Sequence, residues 1–287
     1  MESEKEHWDI IIKPRESNFS LNFGETWKYR DLIKRYIHRD IVTAYKQTVL
    51  GPLWYIIQPL FTTIMYMFVF AGIANIPTDG LPQPLFYLSG ILIWNYFAEC
   101  LGRAQGTFLG NAGVFSKVYF PRMVVPISGA ISTMLKLAIQ VITFAVIYLY
   151  FHYAEGTNIA PNIYILLFPV LILMTACFAI GTGIIISSMT TKYRDMGILI
   201  GFLVSLWMYI TPIIYPLSIM SERYSEYKWI IALNPLTPIV ETFRFATMGT
   251  GEFSWASLGY SFGVTVVVLI AGIGIFNKVE RNFIDVV

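Results

Sequence analysis

The sequence predicts an all-α integral membrane protein with six transmembrane helices. Hydrophobic residues make up 56% of its 287 residues and charged residues only 13%, about half the charged share of an average soluble domain. The mean hydropathy is +0.60. Six apolar stretches have about the 20 residues that a helix needs to cross about 30 Å of hydrocarbon. This composition excludes a soluble globule, a disordered chain and a collagen-like chain.

The predicted spans follow one another with polar or helix-breaking residues between them. The second contains two charged residues, Glu99 and Arg103, and the fifth ends at Pro212, which cannot continue a helix. The spans are placed at residues 53–74, 85–107, 123–151, 163–189, 197–215 and 256–276. They divide the chain into an N-terminal segment (1–52), a six-span domain (53–276) and a C-terminal tail (277–287).

The basic residues predict how the spans are oriented. Fifteen of the twenty Lys and Arg residues lie on the side of the N-terminal segment, and the opposite side holds only Arg223, Lys228 and Arg244. Because Lys and Arg are enriched in cytoplasmic loops, both termini are expected in the cytoplasm. The N-terminal segment is polar and does not match a cleavable signal peptide, so the first span is expected to serve as the insertion signal.

Residues 25–46 predict an amphipathic helix that lies on the membrane surface. Apolar residues recur at helical spacing on one face, and the opposite face is basic and includes Arg35, Arg39 and Lys46. This pattern is typical of an interfacial helix. Two interpretations remain open. The helix either anchors the chain to anionic lipids, or it forms a cytoplasmic collar that receives an anionic lipid-linked substrate or docks a partner.

The loop between the second and third predicted spans, residues 110–122, mixes aromatic and charged residues and ends in a proline. The residues in question are Phe115, Lys117, Tyr119, Phe120, Pro121 and Arg122. Exposed aromatic residues rimmed by charge are typical of a protein contact. The alternative interpretation places the rings in the headgroup layer as an aromatic belt.

Residues 212–255 are too long for a turn and too interrupted by proline to span the membrane. Within them, residues 236–248 are expected to form a short helix in which Glu241 and Arg244 are spaced for an ion pair. Irregular backbone at membrane depth is tolerated only where it is buried in protein or lines water. The segment is therefore either a re-entrant hairpin that caps one end of a pathway or an amphipathic surface loop.

One face of the third predicted span carries a polar residue at every fourth position: Ser128, Ser132, Lys136 and Gln140. Lys136 lies about 20 Å along the helix from Arg122, and an ionisable group at that depth costs several kcal/mol unless it faces protein or water. Two interpretations remain open. These groups, with Glu99 and Arg103, either line a hydrated lumen or pair internally and fix the helix packing.

Small and aromatic residues add weaker signals. Ala179, Gly183 and Ser187 in the fourth span, and Gly259 and Gly263 in the sixth, have the four-residue spacing that lets helices approach closely. The aromatic residues either line a path and stack on sugar rings or form interface belts and lipid-facing bulk. The candidates for a path are Trp54, Tyr55, Trp94, Tyr96, Phe97, Trp207 and Tyr209.

The sequence contains no recognisable catalytic, metal or nucleotide site. A Gly-x-x-x-x-Gly-Lys-Ser/Thr phosphate loop is absent, so ATP hydrolysis by this chain itself is not expected. The three histidines are scattered, and no metal ligand set is predicted. Asp40 follows Arg39, which is weak support for a catalytic base. The two cysteines lie in apolar runs and imply no disulfide framework, and a net charge of +2 does not indicate nucleic-acid binding.

Five segments resemble, in the same order, the signature segments of ABC type 2 export permeases. They are RDIVTAYKQTVLGPLW (39–54) with QPL (58–60), LSGILIWNYF (88–97), KVYFPR (117–122), TPIIYP (211–216) and LNPLTPIVE (233–241) with Arg244. The resemblance covers nearly the whole chain after about residue 25. It is strongest to the branch that exports O-antigen, capsule or teichoic-acid polymers. Residues 1–24 match no pattern of the family.

The resemblance implies a homodimeric transport subunit, not an enzyme, in the bacterial inner membrane. Two separate ATP-binding cassette subunits would dock on its cytoplasmic side and hold ATP and magnesium, and this chain would carry no cofactor. The substrate would be a glycan on polyprenyl pyrophosphate. Residues 25–46 would be the interface helix, residues 117–122 would belong to the coupling helix, and residues 212–255 would include the gate helices.

The resemblance also suggests roles for individual residues. Contact with the ATP-binding partner would involve Phe115, Lys117, Tyr119, Phe120, Pro121 and Arg122. From their charge and position, Arg35, Arg39 and Lys46 are expected to meet the pyrophosphate at the entrance. The channel lining would include Trp94, Tyr96, Glu99, Arg103, Ser132, Lys136 and Gln140. The outer gate would include Pro212, Tyr215, Asn234, Pro235, Glu241 and Arg244.

Three alternatives to polysaccharide export remain. An ABC type 2 permease for a small lipid, drug or ion would need a narrower pore with fewer polar lining groups. A polytopic glycolipid-processing enzyme would keep its activity without ATP and lose it in a single carboxylate variant such as Glu99→Gln. A membrane scaffold for a synthase complex would be insensitive to changes in the lumen.

Overall fold

The computed structural model describes residues 23–46, 48–157, 159–193, 195–222 and 225–286, and within these ranges the chain is helical with no strand. The signal-peptide prediction for the first residues lies outside the described residues. So do five basic residues of the charge count: Lys5, Lys13, Arg15, Arg194 and Arg223. The helices are α1 (Phe23–Lys28), α2 (Arg30–Tyr45), α3 (Trp54–Tyr66), α4 (Gln83–Gln105), α5 (Thr107–Phe115), α6 (Val124–Tyr153), α7 (Phe168–Thr190), α8 (Met196–Ile210), α9 (Leu217–Glu222), α10 (Lys228–Leu233), α11 (Leu236–Met248) and α12 (Trp255–Val286).

Five helical segments are long and apolar enough to cross a membrane: Gly51–Ile73, Gln83–Gln105, Val124–Tyr153, Ile163–Thr190 and Trp255–Glu280. They correspond to the predicted first, second, third, fourth and sixth spans. The predicted fifth span is the apolar helix α8, which has 15 residues and a length of about 22 Å. Since the hydrocarbon core is about 30 Å thick, α8 alone is too short to cross it. The structure thus indicates an integral membrane protein with five full-length spans in its described part.

The N-terminal amphipathic segment differs from its prediction in two ways. It forms two helices, α1 and α2, separated at Tyr29, where one continuous helix was expected over residues 25–46. Its apolar face also packs on protein, because α2 lies against α6 and buries Ile33 and Tyr36. Asp40 follows these two residues at helical spacing, so it lies on the same face of α2.

α4 is the central helix of the bundle. It packs against α6 and α7, and α7 packs in turn against α12. The α7–α12 contact depends on glycine, since a Cβ at Gly272 would lie 2.6 Å from the carbonyl oxygen of Gly181. Gly183 has the same role at α4, where its Cβ would lie 2.5 Å from the Cβ of Ala104.

The prediction that the small residues of the fourth span allow close helix packing is therefore confirmed. The same prediction for Gly259 and Gly263 in the sixth span is wrong within this subunit. A Cβ added at Gly259 or Gly263 would meet nothing within 4 Å. The glycines of α12 that lie against α7 and those that match the four-residue pattern are different residues. The spacing alone did not distinguish them.

The bundle has two ends with different partners. At the first, α2 meets the last turn of α4 through Arg103 and Asp40, and Arg122 donates to the carbonyl oxygen of Glu280 near the end of α12. At the second, α11 meets the first turns of α4, and Asn162 donates to the carbonyl oxygen of Phe245. We call these the α2 end and the α11 end.

Candidate functional site

A cluster of charged and polar side chains joins three helices at the α2 end. Arg103 of α4 lies 2.9 Å from Asp40 of α2 and 3.4 Å from Glu99. The Nζ atom of Lys136 lies 2.7 Å from the other oxygen of Glu99, and the Ser132 hydroxyl donates to Asp40 at 3.3 Å. The two cations and two carboxylates are therefore paired with one another. This geometry favours the internal-pairing interpretation over free charges on a lumen.

Asp40 is the member of this cluster that sequence reasoning missed. It was considered only as a weak candidate base beside Arg39, whose guanidinium lies 2.8 Å from it. Its position on the buried face of α2 was the available signal, because a carboxylate on that face must meet a cation of the spans. Glu99 and Asp40 together offset the charges of Arg103 and Lys136.

The predicted entrance residues lie on α2 and just after its end. Arg35 and Lys46 are exposed, and Arg39 lies over the Tyr36 ring with its guanidinium carbon 4.3 Å from the ring centroid. Burial raises the pKa of Tyr36 above its usual value, so this ring stays neutral. The three cationic side chains are thus exposed on this subunit, which suits contact with anionic groups.

Four predicted channel-lining residues are buried inside the subunit. Tyr96 is 1% exposed, and Trp94, Ser132 and Gln140 are also buried. These side chains are therefore enclosed within the single subunit, and their place in a channel stays a prediction. α4, which carries Trp94 and Tyr96, lies at the centre of the bundle and packs against α6 and α7.

The loop between α4 and α6 also differs from its prediction. Its helix is α5, and residues 117–122 follow that helix without being helical. Tyr119 is 79% exposed, whereas Phe115 and Phe120 are buried. The expectation that all three rings face the cytoplasm is therefore wrong for two of them.

The buried rings complete a small core at the α2 end. The Phe120 ring lies 5.5 Å from that of Phe115 and 6.1 Å from that of Tyr36. Arg122 is also buried, with its guanidinium carbon 5.2 Å from the Phe115 ring centroid, and burial lowers its pKa. Pro121 is buried beside it. The loop therefore presents Lys117, Val118 and Tyr119 outward while its other side chains hold it to the bundle.

Arg244 organises the α11 end. The residue is 1% exposed, and its guanidinium lies 3.0 Å from Glu241 on the same helix. It donates to the carbonyl oxygen of Pro212 at 2.6 Å and to the Ser89 hydroxyl at 3.2 Å, and its guanidinium carbon lies 3.9 Å from the centroid of the Phe86 ring. One side chain thus connects α11, the start of α4 and the turn after α8.

Two glycines make room for this network. A Cβ at Gly90 would lie 3.1 Å from Nη2 of Arg244 and 3.0 Å from the Cα of Ile213. Gly251 has a φ of +125°, a conformation that side chains rarely adopt. The next residue, Glu252, uses its backbone N–H to donate to Glu241 at 3.2 Å.

The remaining predicted gate residues lie near this network. Asn234 donates to the Thr211 hydroxyl at 2.8 Å and accepts from the backbone N–H at the first residue of α11. The Pro235 carbonyl oxygen accepts from Ser261 of α12 at 2.6 Å. The structure therefore brings five of the six predicted gate residues together around α11. The hydroxyl of the sixth, Tyr215, donates instead to the last carbonyls of α8.

Comparison with known proteins agrees with this architecture. Residues 31–248 match the family model described as "ABC-2 type transporter". The chain is similar to the O-antigen export system permease protein RfbA of Klebsiella pneumoniae, with 27% identity over 258 residues that cover 89% of this chain and 95% of the relative. RfbA of Myxococcus xanthus is 25% identical over 91% of this chain and 97% of its own.

A third relative, the polysialic acid transport protein KpsM of Escherichia coli, is 25% identical over 85% of this chain and 91% of its own length. No group of three His, Cys, Asp or Glu residues that could hold a metal occurs in the described ranges. The family match covers the amphipathic helix α2, the first five predicted spans and the network around α11. The chain belongs to the ABC-2 type transporter family of membrane proteins.

Proposed function

We propose that this chain is the membrane subunit of an ATP-driven exporter of lipid-linked polysaccharide in the bacterial inner membrane. The observation that carries the proposal is the similarity, over most of the chain, to permeases named for O-antigen, polysialic acid and capsule export. The sequence has no phosphate-binding loop, so two ATP-binding cassette subunits would supply hydrolysis. The substrate would be a glycan linked to polyprenyl pyrophosphate.

The transport path would lie between two copies of the chain, and α8 together with the residues that follow it would make the sixth crossing. α8 has no buried residue, and α3 buries only Pro59 and Thr63, although both helices contain apolar residues throughout. These two helices therefore offer apolar surface for a second copy and a channel. Both termini and the α2 end would face the cytoplasm, as the basic residues predict.

The α2 end would receive the ATP-binding partner and the substrate. Lys117, Val118 and Tyr119 project from the loop after α5, and an exposed aromatic rimmed by charge suits a protein contact. Phe115, Phe120, Pro121 and Arg122 would support that contact from the core side. Arg35, Arg39 and Lys46 would meet the pyrophosphate, because exposed cations on a surface helix attract anionic lipid groups.

The α11 end would form the outer gate. The Arg244 network holds α11 against α4 and the turn after α8, so a movement of α11 that opens the path would have to rearrange these contacts. Packed elements with two alternative arrangements can turn small movements into gating steps. Movement of the loop after α5 during ATP hydrolysis would be transmitted to the gate through α4, which contacts both ends.

Co-purification and ATP hydrolysis test this proposal. The chain is expressed with the ATP-binding cassette protein of its own organism, purified and placed in phospholipid vesicles. The expected result is a complex with two copies of each chain, whose ATP hydrolysis rate changes when polyprenyl-linked glycan is added. A chain that purifies alone and processes glycolipid without ATP would contradict it in favour of an enzyme. Stimulation by a small lipid or drug, and not by glycan, would favour a small-substrate permease.

A further inference from the structure

A cavity of about 190 Å³ lies beneath α11, between α6 and the residues that precede α7. Its floor consists of the buried residues Phe144, Phe243 and Thr247. Its rim consists of the exposed residues Ala145, Pro161 and Ile165. The cavity therefore begins in the core of the subunit and opens on the outer surface of the bundle.

The cavity offers no polar side chain to a ligand. The Thr247 hydroxyl donates to the carbonyl oxygen of Phe243 at 2.7 Å, and the Tyr148 hydroxyl donates to that of Ile159 at 3.2 Å. Water needs two to four polar partners to occupy a cavity, and an apolar cavity of about 150 Å³ stays dry yet binds a benzene-sized hydrocarbon. A larger space with the same lining is therefore suited to hydrocarbon and unsuited to a sugar, an ion or water.

With α6 across a membrane, the rim would lie at the depth of the hydrocarbon. Tyr148 and Val141, which bound the cavity along α6, lie about 8 Å and about 18 Å along the helix from its end at Tyr153. Half of the hydrocarbon core measures about 15 Å. Ile142 and Val146 beside the rim are exposed apolar residues on a helix that is long enough to cross the membrane. The mouth of the cavity thus opens toward lipid chains.

We propose that an acyl chain of a membrane phospholipid enters this cavity and supports α11 from below. Phe243 on the cavity floor directly precedes Arg244 in α11. The acyl chain would therefore pack against α11, the helix that Arg244 holds to α4. Filling the space between α6 and α11 restores contacts that an empty cavity lacks. The proposal requires only that the protein spans a membrane. It therefore holds whether or not the protein exports polysaccharide.

Photocross-linking tests the site. The purified full-length chain is placed in bilayers that contain a phospholipid with a diazirine in the middle of one acyl chain, irradiated, digested and mapped by mass spectrometry. Adducts are expected on the floor residues Phe243 or Thr247, and on the exposed Ile142 as an internal positive control. Ala145→Phe narrows the rim and should lower the floor yield at least fivefold. Ile142→Phe adds the same ring outside the cavity and should leave the floor yield unchanged.

Three results would overturn the proposal. The first is labelling of Ile142 with no adduct on the floor of the unsubstituted chain. The second is floor labelling by a photoreactive polyprenyl phosphate and not by the phospholipid, which would assign the cavity to the substrate chain. The third is a cross-link from the floor to a second copy, which would assign it to a subunit interface. If Ala145→Phe does not fold, the yield on the unsubstituted chain and on Ala145→Leu still decides.

Discussion

Replacing Arg244 with Gln should release α11 from the bundle, and the cost can be worked from its contacts. Arg244 is 1% exposed and is the cation that pairs with the buried Glu241. Removing one partner of a buried ion pair costs about 3–5 kcal/mol, since the other charge stays buried without compensation. At about 2–4 °C per kcal/mol for a chain of this size class, the Tm should fall by about 10 °C.

Two further variants separate the ion pair from a general effect of mutation. In the double variant Glu241→Gln/Arg244→Gln the unpaired carboxylate is also gone, so the double variant should be less destabilised than Arg244→Gln alone. It should also be less destabilised than the sum of the losses in Arg244→Gln and Glu241→Gln. Arg103→Gln is the matched control, because Arg103 is 30% exposed and its pairs at the α2 end are partly solvated. Such pairs contribute about 1 kcal/mol or less, which corresponds to a few degrees at most.

The assay is thermal unfolding of the purified chain in one detergent, followed by the loss of helical circular dichroism. The expected order of Tm is wild type, then Arg103→Gln, then the double variant, with Arg244→Gln lowest. If Arg244→Gln melts within about 2 °C of wild type and the double-variant cycle shows no coupling, Arg244 does not hold α11 and the account of the gate network is refuted.

Three other substitutions have matched controls. Tyr119→Ala should leave the Tm unchanged and reduce co-purification of the ATP-binding partner. Phe120→Ala removes a buried ring and should lower the free energy of unfolding by about 3–5 kcal/mol. Equal effects of the two variants on the Tm would contradict the different roles of the exposed and the buried ring. Gly183→Val should lower the Tm because its Cβ meets α4, at a cost of about 1–3 kcal/mol, while Gly259→Val should not. Asp40→Asn should speed tryptic cleavage within α2 about fivefold, the equivalent of about 1 kcal/mol. Asp31→Asn removes only an exposed pair with Lys34 and should leave the cleavage rate unchanged.

The long apolar helices were predictable because their signal is local. Length and hydropathy placed five spans within a few residues of their observed bounds, since a spanning helix must satisfy its own backbone hydrogen bonds along its length. The ion pair of Glu241 and Arg244 was also predictable, because a spacing of three on one helix brings the two side chains together.

Packing between distant segments was not predictable from local pattern. Phe115 and Phe120 have the composition of a surface contact, yet the arrival of α2 and the end of α12 buries them. Trp94 and Tyr96 are buried because α4 has neighbours on its other faces, which hydropathy cannot show. Asp40 lies 63 positions from Arg103 in the chain, and the pair is formed only by the fold.

The measurement that tests the central claim most directly is a lipid extract from cells that lack this chain and retain glycan synthesis. Long polyprenyl-linked polymer trapped on the cytoplasmic side is the predicted result, and its composition would identify the substrate. Normal surface glycan with no trapped intermediate would contradict polysaccharide export and would make a small-substrate permease the better account.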